Sequence, residues 1–117
     1  MKKEISQNDK IFIAGASGMA GSAIYRSLLR NGYGDPSLGG AILTTSRNDL
    51  DLLKINEVEN WFEVNKPDVV IIAAAKVGGI FANSSAPSEF LLENLKIQNN
   101  IIETSWRYGV RRLLFLG

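Results

Sequence analysis

IFIAGASGMAG, residues 11–21, sets an apolar run against three glycines spaced three apart. Lys10 to Ala14 shows no polar alternation, so it reads as a strand covered on both faces. From Met19 to Asn31 the spacing turns helical. Ala20, Ile24 and Leu28 fall four apart on one face, and Asn31-Gly32 supplies a stop. Bare backbone at such a junction has three uses where a diphosphate is held. Gly15 permits the tight turn, Gly18 lets backbone approach the diphosphate, and Gly21 lets the helix lie close to the sheet. The helix start adds free N–H groups and the positive end of its dipole. The same residues also suit a plain Gly-rich turn, and it is their place in the chain that favours a ligand. No Gly-Lys-Ser/Thr follows, which excludes a P-loop.

Working outward, residues 1–9 are polar and predicted to be a flexible N-terminus, and GYGDPSLGG, residues 32–40, is a loop. Ala41 to Thr45 is predicted as the second strand. A second helix is predicted from Glu57 to Asn65, with Asn56 as cap and Glu59 completing a capping box. Val58, Trp61, Phe62 and Asn65 share one of its faces, and Lys66-Pro67 ends it. Asp68 to Ala74 carries β-branched residues in succession and is the third strand. Residues 75–86 form a loop with Gly78-Gly79. A long helix runs from Pro87 to about Tyr108, where Gly109 stops it, and Arg112 to Leu116 is the fourth strand.

Strands alternating with helices predict an α/β fold, a Rossmann-like doubly wound parallel sheet with right-handed crossovers. The expected strand order is 3-2-1-4, with the domain, residues 10–117, ending after about four strands. The fourth strand would then be a bare apolar edge, open to another chain.

The chain has 117 residues, one domain's worth, with 45% hydrophobic and 21% charged residues. A net charge of +1 gives no electrostatic case for nucleic acid or an anionic membrane. No apolar run approaches the roughly 20 residues of a membrane span, and the polar start has no signal-peptide core. With no Cys and no His, disulfides, thiolates, imidazole bases and the usual zinc sites are excluded, and no metal is expected. The lack of Cys fits a cytoplasmic location.

The second strand runs into Leu43-Thr44-Thr45-Ser46-Arg47. A site for NAD usually places an acid there to hold the ribose 2′-hydroxyl, whereas one for NADP places an Arg for the 2′-phosphate. Arg47 can pair bidentately with a phosphate, and Thr45 and Ser46 add hydroxyl donors. These residues favour NADP(H). Asp49 and Asp51 are the acids that could instead reach a ribose.

The glycine spacing resembles that of short-chain dehydrogenase/reductases. The segment Ala73-Ala74-Ala75-Lys76-Val77-Gly78-Gly79-Ile80 is similar to one in GDP-L-fucose synthases, the NADP-dependent epimerase/reductases of the extended group. Gly18-Met19, Ser46 to Leu52, Ala82-Asn83, Pro87, Glu93-Asn94-Leu95 and Leu113 to Gly117 continue the resemblance over nearly the whole chain from Lys10. It implies that Gly15, Ser17, Gly18, Met19 and Gly21 hold the pyrophosphate and that Arg47 meets the adenosine 2′-phosphate. It places Asp51 and Leu52 at the adenine, and Ala73, Ala74 and Ala75 behind the cofactor. Lys76, Gly78 and Gly79 would border the mouth toward a GDP-linked nucleotide sugar. The chain departs from the family at Ala16-Ser17, where His-Arg is usual, and at Ala20, where Val is usual.

In the family resembled, the catalytic Ser, the Tyr-x-x-x-Lys pair and the epimerising Cys and His follow the fourth strand. None is in this chain, and Tyr25, Tyr33 and Tyr108 have no Lys four residues on. The expectation is therefore a coenzyme-binding portion that turns nothing over alone, without its substrate domain. The alternatives are a non-catalytic nucleotide-binding module and a self-associating one. On the long helix, Leu91, Leu92, Leu95, Ile102 and Trp106 make one apolar face and Phe90, Ile97 and Ile101 another, with Asn94, Gln98 and Ser105 between. One face suits the sheet. The other suits either the same helix of a second subunit, as the resemblance implies, or the absent C-terminal portion.

Overall fold

Four apolar segments become parallel strands: β1 (Lys10–Ala14), β2 (Ala41–Thr44), β3 (Val69–Ile72) and β4 (Arg112–Phe115). Between them lie helices α1 (Met19–Arg30), α2 (Ile55–Asn65) and α3 (Pro87–Arg107), with one 3₁₀ turn at Pro36–Leu38. The computed structural model describes residues 4–16, 18–46, 48–73 and 87–115, and for 87–91 the helical backbone alone. Ser17, Arg47, Ala74, Ala75, Lys76, Gly78 and Gly79 lie outside the described residues, as do Leu116 and Gly117.

The alternation of β1 explains the layers. Ile11, Phe12, Ile13 and Ala14 are each fully buried, so both faces of the strand are covered. Phe12 and Ala14 join Val70 and Ile72 of β3 in a cluster with Val58 and Phe62 of α2 and Ile97 and Ile101 of α3. Ile11 and Ile13 join Val69 and Ile71 on the opposite face, where Ile24 and Leu28 of α1 pack. Phe12 lies 4.1 Å from Trp61 between ring centroids and meets Phe62 edge-on at 5.9 Å, so the α2 face is held largely by aromatic packing.

The doubly wound class and the parallel sheet are as expected, but the strand order is β2-β1-β3-β4 rather than 3-2-1-4. Burial supplies the reason. All four residues of β3 are buried, whereas β2 is only half-buried and its last residue is exposed. An all-apolar strand on the outer edge would be left half in water, so it takes the interior place against β1. The segment after β2 does not add a strand outside it. The amides of Asp49 and Leu50 both bond back to the Ser46 carbonyl, at 3.1 and 3.0 Å, closing a turn instead.

This reversal also places the helices. A right-handed crossover that moves one way across the sheet puts its helix on one face, and one that moves the other way uses the opposite face. The chain moves one way from β1 to β2 and the other way from β2 to β3, so α1 and α2 lie on opposite faces. The step to β4 continues in the second direction and leaves α3 beside α2. The direction changes between β1 and β3, and a crevice opens there at the carboxyl ends of the strands.

Two local expectations are corrected. Helix α2 begins at Ile55, with Lys54 as its cap and no side-chain capping bond, so the Asn56–Glu59 capping box does not form. Glu57 supplies first-turn charge, and its Oε1 accepts from the Asp51 amide at 3.3 Å. On α1 the core-facing residue of the first turn is Gly21, which is buried, while Ala20 is exposed. Residues 4–9 are tied to the sheet's amino end: Ile5 packs on the α1-side cluster, and the Gln7 carbonyl accepts from the Asp35 amide.

Asp9 is the buried fastening of that end. Its Oδ2 accepts from the Ser6 amide at 2.7 Å and from the Arg111 guanidinium, which also donates to the Glu4 carbonyl. The bond to Asp9 holds the Arg111 pKa above its ordinary value, against burial acting the other way. Next to it, Asp68 accepts from the Lys10 amide at 2.9 Å and, through its carbonyl, from the Arg111 amide at 2.8 Å. Replacing Asp9 by Ala removes a charge-assisted bond and leaves the Ser6 amide short of its acceptor. The expected loss is about 2 kcal/mol, read as a lowered urea midpoint at unchanged slope; a change under about 0.5 kcal/mol would show the fastening to be incidental.

Candidate functional site

The turn leaving β1 is built around two glycines that the fold itself requires. Gly15 has φ 90°, a left-handed conformation that a side chain disfavours. Gly21 sits inside α1, where Gly costs about 1 kcal/mol relative to Ala. Its use is contact: a Cβ there would stand 2.0 Å from the Gly15 carbonyl oxygen and 2.9 Å from the Ala16 Cα. The helix thus lies directly on the turn, as close helix–sheet packing demands.

Gly18 is different. It is the N-cap of α1 with φ −76° and ψ 171°, extended backbone open to any residue. Among the described residues a Cβ there would meet only the Gly15 oxygen, at an ordinary 3.5 Å. Neither conformation nor packing among the described residues calls for a glycine at 18, which leaves bare backbone beside the turn. The Gly18 amide bonds to the Gly15 carbonyl at 3.1 Å, which fixes the turn, and the Ser22 amide closes the first helical bond onto the Gly18 carbonyl.

That leaves the amides of Met19, Ala20 and Gly21 without intrahelical acceptors. Among the described residues no side chain caps them, and the first turn of α1 holds no acid, unlike that of α2 with Glu57. The Met19 side chain is 92% exposed and does not cover them. The positive end of the α1 dipole is therefore unneutralised by its own helix and faces the carboxyl end of the sheet. The Ala73 amide donates to the Ala14 carbonyl at 2.8 Å, which sets the end of β3 beside the glycine turn. Gly15, Gly18, Met19, Gly21 and Ala73 are thus brought together at the β1/β3 crevice, with only small side chains from the strand ends.

A groove of about 520 Å³ runs from this turn toward the end of β2. Ala16, Ser22, Tyr25 and Arg26 line it on one side and Thr44, Thr45, Ser46 and Asp49 on the other. Asp49 is turned inward on its own loop, where its Oδ2 accepts from the Ser46 hydroxyl at 3.0 Å and from the Ser46 amide at 3.3 Å. Asp51 is used in the same way, its Oδ1 accepting from the Leu53 amide at 3.0 Å. Leu52 packs against the α2-side cluster, and its carbonyl accepts from Asn100 of α3 at 2.9 Å. Asp51 and Leu52 thus stand apart from the glycine turn, on the loop that leads into α2. Among the described residues no cluster of His, Cys, Asp or Glu could hold a metal, and no helix is long and apolar enough to cross a membrane.

Thr45 and Ser46 were legible as groove residues from the strand end. Ser22, Tyr25 and Arg26 were not singled out from sequence. The available signal is the four-residue spacing of Ser22 and Arg26, which puts both on one face of α1 below the glycine turn.

Comparison with known proteins agrees with this geometry. Residues 11–117 match the model of the NAD dependent epimerase/dehydratase family. GDP-L-fucose synthase 1 of Arabidopsis thaliana is 44% identical over 92% of this chain, and the GDP-L-fucose synthase of Escherichia coli is 41% identical over 92%. The chain spans about a third of the length of these curated relatives, 32% of each. Among solved structures, the GDP-mannoheptose C4 reductase of Campylobacter jejuni with NADP bound superposes with a TM-score of 0.86 at 34% identity, over 97% of this chain and 34% of that one. A GDP-L-fucose synthetase of Naegleria fowleri bound to NADP gives 0.77 at 28% identity, over 94% of this chain and 31% of that one.

The two helix glycines separate experimentally. Gly21→Ala forces backbone apart and should cost about 2–3 kcal/mol, more than the roughly 1 kcal/mol of helix propensity it gains. Gly18→Ala should cost about 1 kcal/mol or less as a weaker N-cap. Chemical denaturation of both variants checks the ranking, and equal losses would mean that Gly18 is also there for the fold.

Proposed function

The chain belongs to the NAD dependent epimerase/dehydratase family, and from that premise we propose that it is the NADP(H)-binding portion of a GDP-L-fucose synthase-like nucleotide-sugar epimerase/reductase. The observation that carries the reading is the start of α1, acid-free and uncapped among the described residues, above a Gly18 that none of those residues requires. A diphosphate supplies the acceptors those amides lack and the negative charge that the dipole favours. The names of the relatives, GDP-L-fucose synthases at 41–46% identity, support a GDP-linked sugar as the substrate of the longer protein.

In this reading the residues divide by task. Gly15, Ser17, Gly18, Met19 and Gly21 hold the diphosphate. Arg47 meets the adenosine 2′-phosphate, and the small side chains of Ala73, Ala74 and Ala75 admit the coenzyme close to the strand ends. Asp51 and Leu52 stand toward the adenine, and Lys76, Gly78 and Gly79 border the substrate mouth. The coenzyme, when bound, supplies the hydride for reduction of a keto sugar. A proton donor is still needed, and no Tyr of this chain has a Lys four residues on to lower its pKa. The chain alone therefore binds coenzyme without turnover. With no Cys to oxidise, it suits the cytoplasm.

The reading also accounts for α3. Ile97 and Ile101 are buried against the sheet, while Leu92, Leu95, Ile102 and Trp106 are exposed, Trp106 by 81%. On β4, Leu113 and Phe115 are exposed as well. A second subunit or the remainder of a longer protein covers these surfaces. The isolated chain should then self-associate, with an apparent mass that rises with concentration in sedimentation velocity. A monomer at every concentration tested would remove this part of the proposal.

Fluorescence titration with NADPH tests the main reading. Submillimolar binding is expected, and Gly18→Ala should weaken it at least tenfold while changing stability little. No binding by the unaltered chain, or equal binding by the variant, would overturn it. NADPH oxidation with a GDP-4-keto-6-deoxy sugar should appear only when a second chain supplies the Ser and the Tyr-x-x-x-Lys pair.

A further inference from the structure

Arg26 stands two helical turns below the glycine loop, at a position that the glycine pattern does not include. It is exposed, lines the groove between α1 and the end of β2, and has no hydrogen-bond or ion-pair partner among the described residues. Side chains on a helix lean toward its N-terminus, so Arg26 is directed past Ser22, one turn above it, toward Ala16 and the glycine turn. The Ser22 hydroxyl donates to the Met19 carbonyl at 3.1 Å. Across the groove stand the hydroxyls of Thr44, Thr45 and Ser46.

Among its described lining residues the groove holds one carboxylate, Asp49, and its disposition bears on what the groove can select. A ribose diol needs a free carboxylate acceptor. Asp49 accepts through Oδ2 from the amide and hydroxyl of Ser46, which ties the carboxylate to its own loop. A guanidinium without a partner among the described residues, across a groove from the hydroxyls of Thr44 and Thr45, suits a phosphomonoester dianion.

We propose that Arg26 is a specificity-determining residue, a cation that recognises a phosphate ester on the adenosine ribose of the coenzyme. The assignment rests on the dinucleotide reading above, since it needs the diphosphate at the glycine turn to bring the adenosine end into the groove. Arg26 acts on selectivity between coenzymes and leaves the diphosphate contacts to the turn.

The test compares NADPH with NADH, and adenosine 2′,5′-bisphosphate with 5′-AMP, by titration against the unaltered chain, Arg26→Gln and Arg26→Lys. Arg26→Gln should raise the dissociation constants of NADPH and of the bisphosphate about 10- to 100-fold, the worth of one charged hydrogen-bonding group. It should move NADH and 5′-AMP less than about twofold, and Arg26→Lys should fall between. Equal weakening of phosphorylated and unphosphorylated ligands would make Arg26 a merely structural residue, and unchanged constants would place it outside the site. Either result overturns this proposal while the coenzyme reading stands. Failure of the unaltered chain to bind any of the four would bring down the coenzyme reading first, and this inference with it.

Discussion

Helix α1 lies so close to the end of β1 that a methyl group on Gly21 would stand 2.0 Å from the Gly15 oxygen. That approach is held from below by Ile24 and Leu28, which pack on Ile11, Ile13, Val69 and Ile71. It also fixes where the first turn of the helix ends. Its unbonded amides stand at the lip of the sheet, next to the turn at Gly15 and the strand end at Ala73. A bulkier residue at 21 would lift the helix off the turn and carry the donors away from the crevice. The candidate site is in this sense a by-product of one packing contact.

The sheet topology supplies the other half. Because the chain turns back across β1 after β2, the crevice opens between β1 and β3, both buried but for Lys10. These have helices on opposite faces and cannot easily shift. The aromatic packing of Phe12, Trp61 and Phe62 on one face, and the Asp9–Arg111 fastening at the amino end, hold the strands in register. The carboxyl end is left free of such fastenings among the described residues, which is where a ligand would supply them. Relatives about three times as long share this arrangement closely enough to superpose on it.

Much of this was legible in the residues. The unbroken apolar runs gave β1 and β3 because strands buried on both faces carry no polar alternation, and Gly15 and Gly21 could be assigned tasks from their spacing between a strand and a helix. The order of the strands was not legible, because pairing between distant segments depends on which strand most needs an interior place. Counting buried residues in Val69-Val70-Ile71-Ile72 against Ala41-Ile42-Leu43-Thr44 would have pointed to it. The capping box at Asn56 and Glu59 failed because Glu57 and the Asp51 turn already settle the start of α2 two residues earlier. Arg26 escaped notice because a charged residue on a helix is ordinary until the opposite wall of its groove is known.

The central claim is that the bare first turn of α1 grips a diphosphate. Its most direct test is a ¹⁵N-resolved amide spectrum of the chain titrated with NADP⁺. The account predicts that the largest shifts fall on the amides of Gly18, Met19, Ala20 and Gly21, saturating together with Gly15 and Ala73. Saturable binding that leaves those amides unmoved, with the changes elsewhere on the surface, would contradict it.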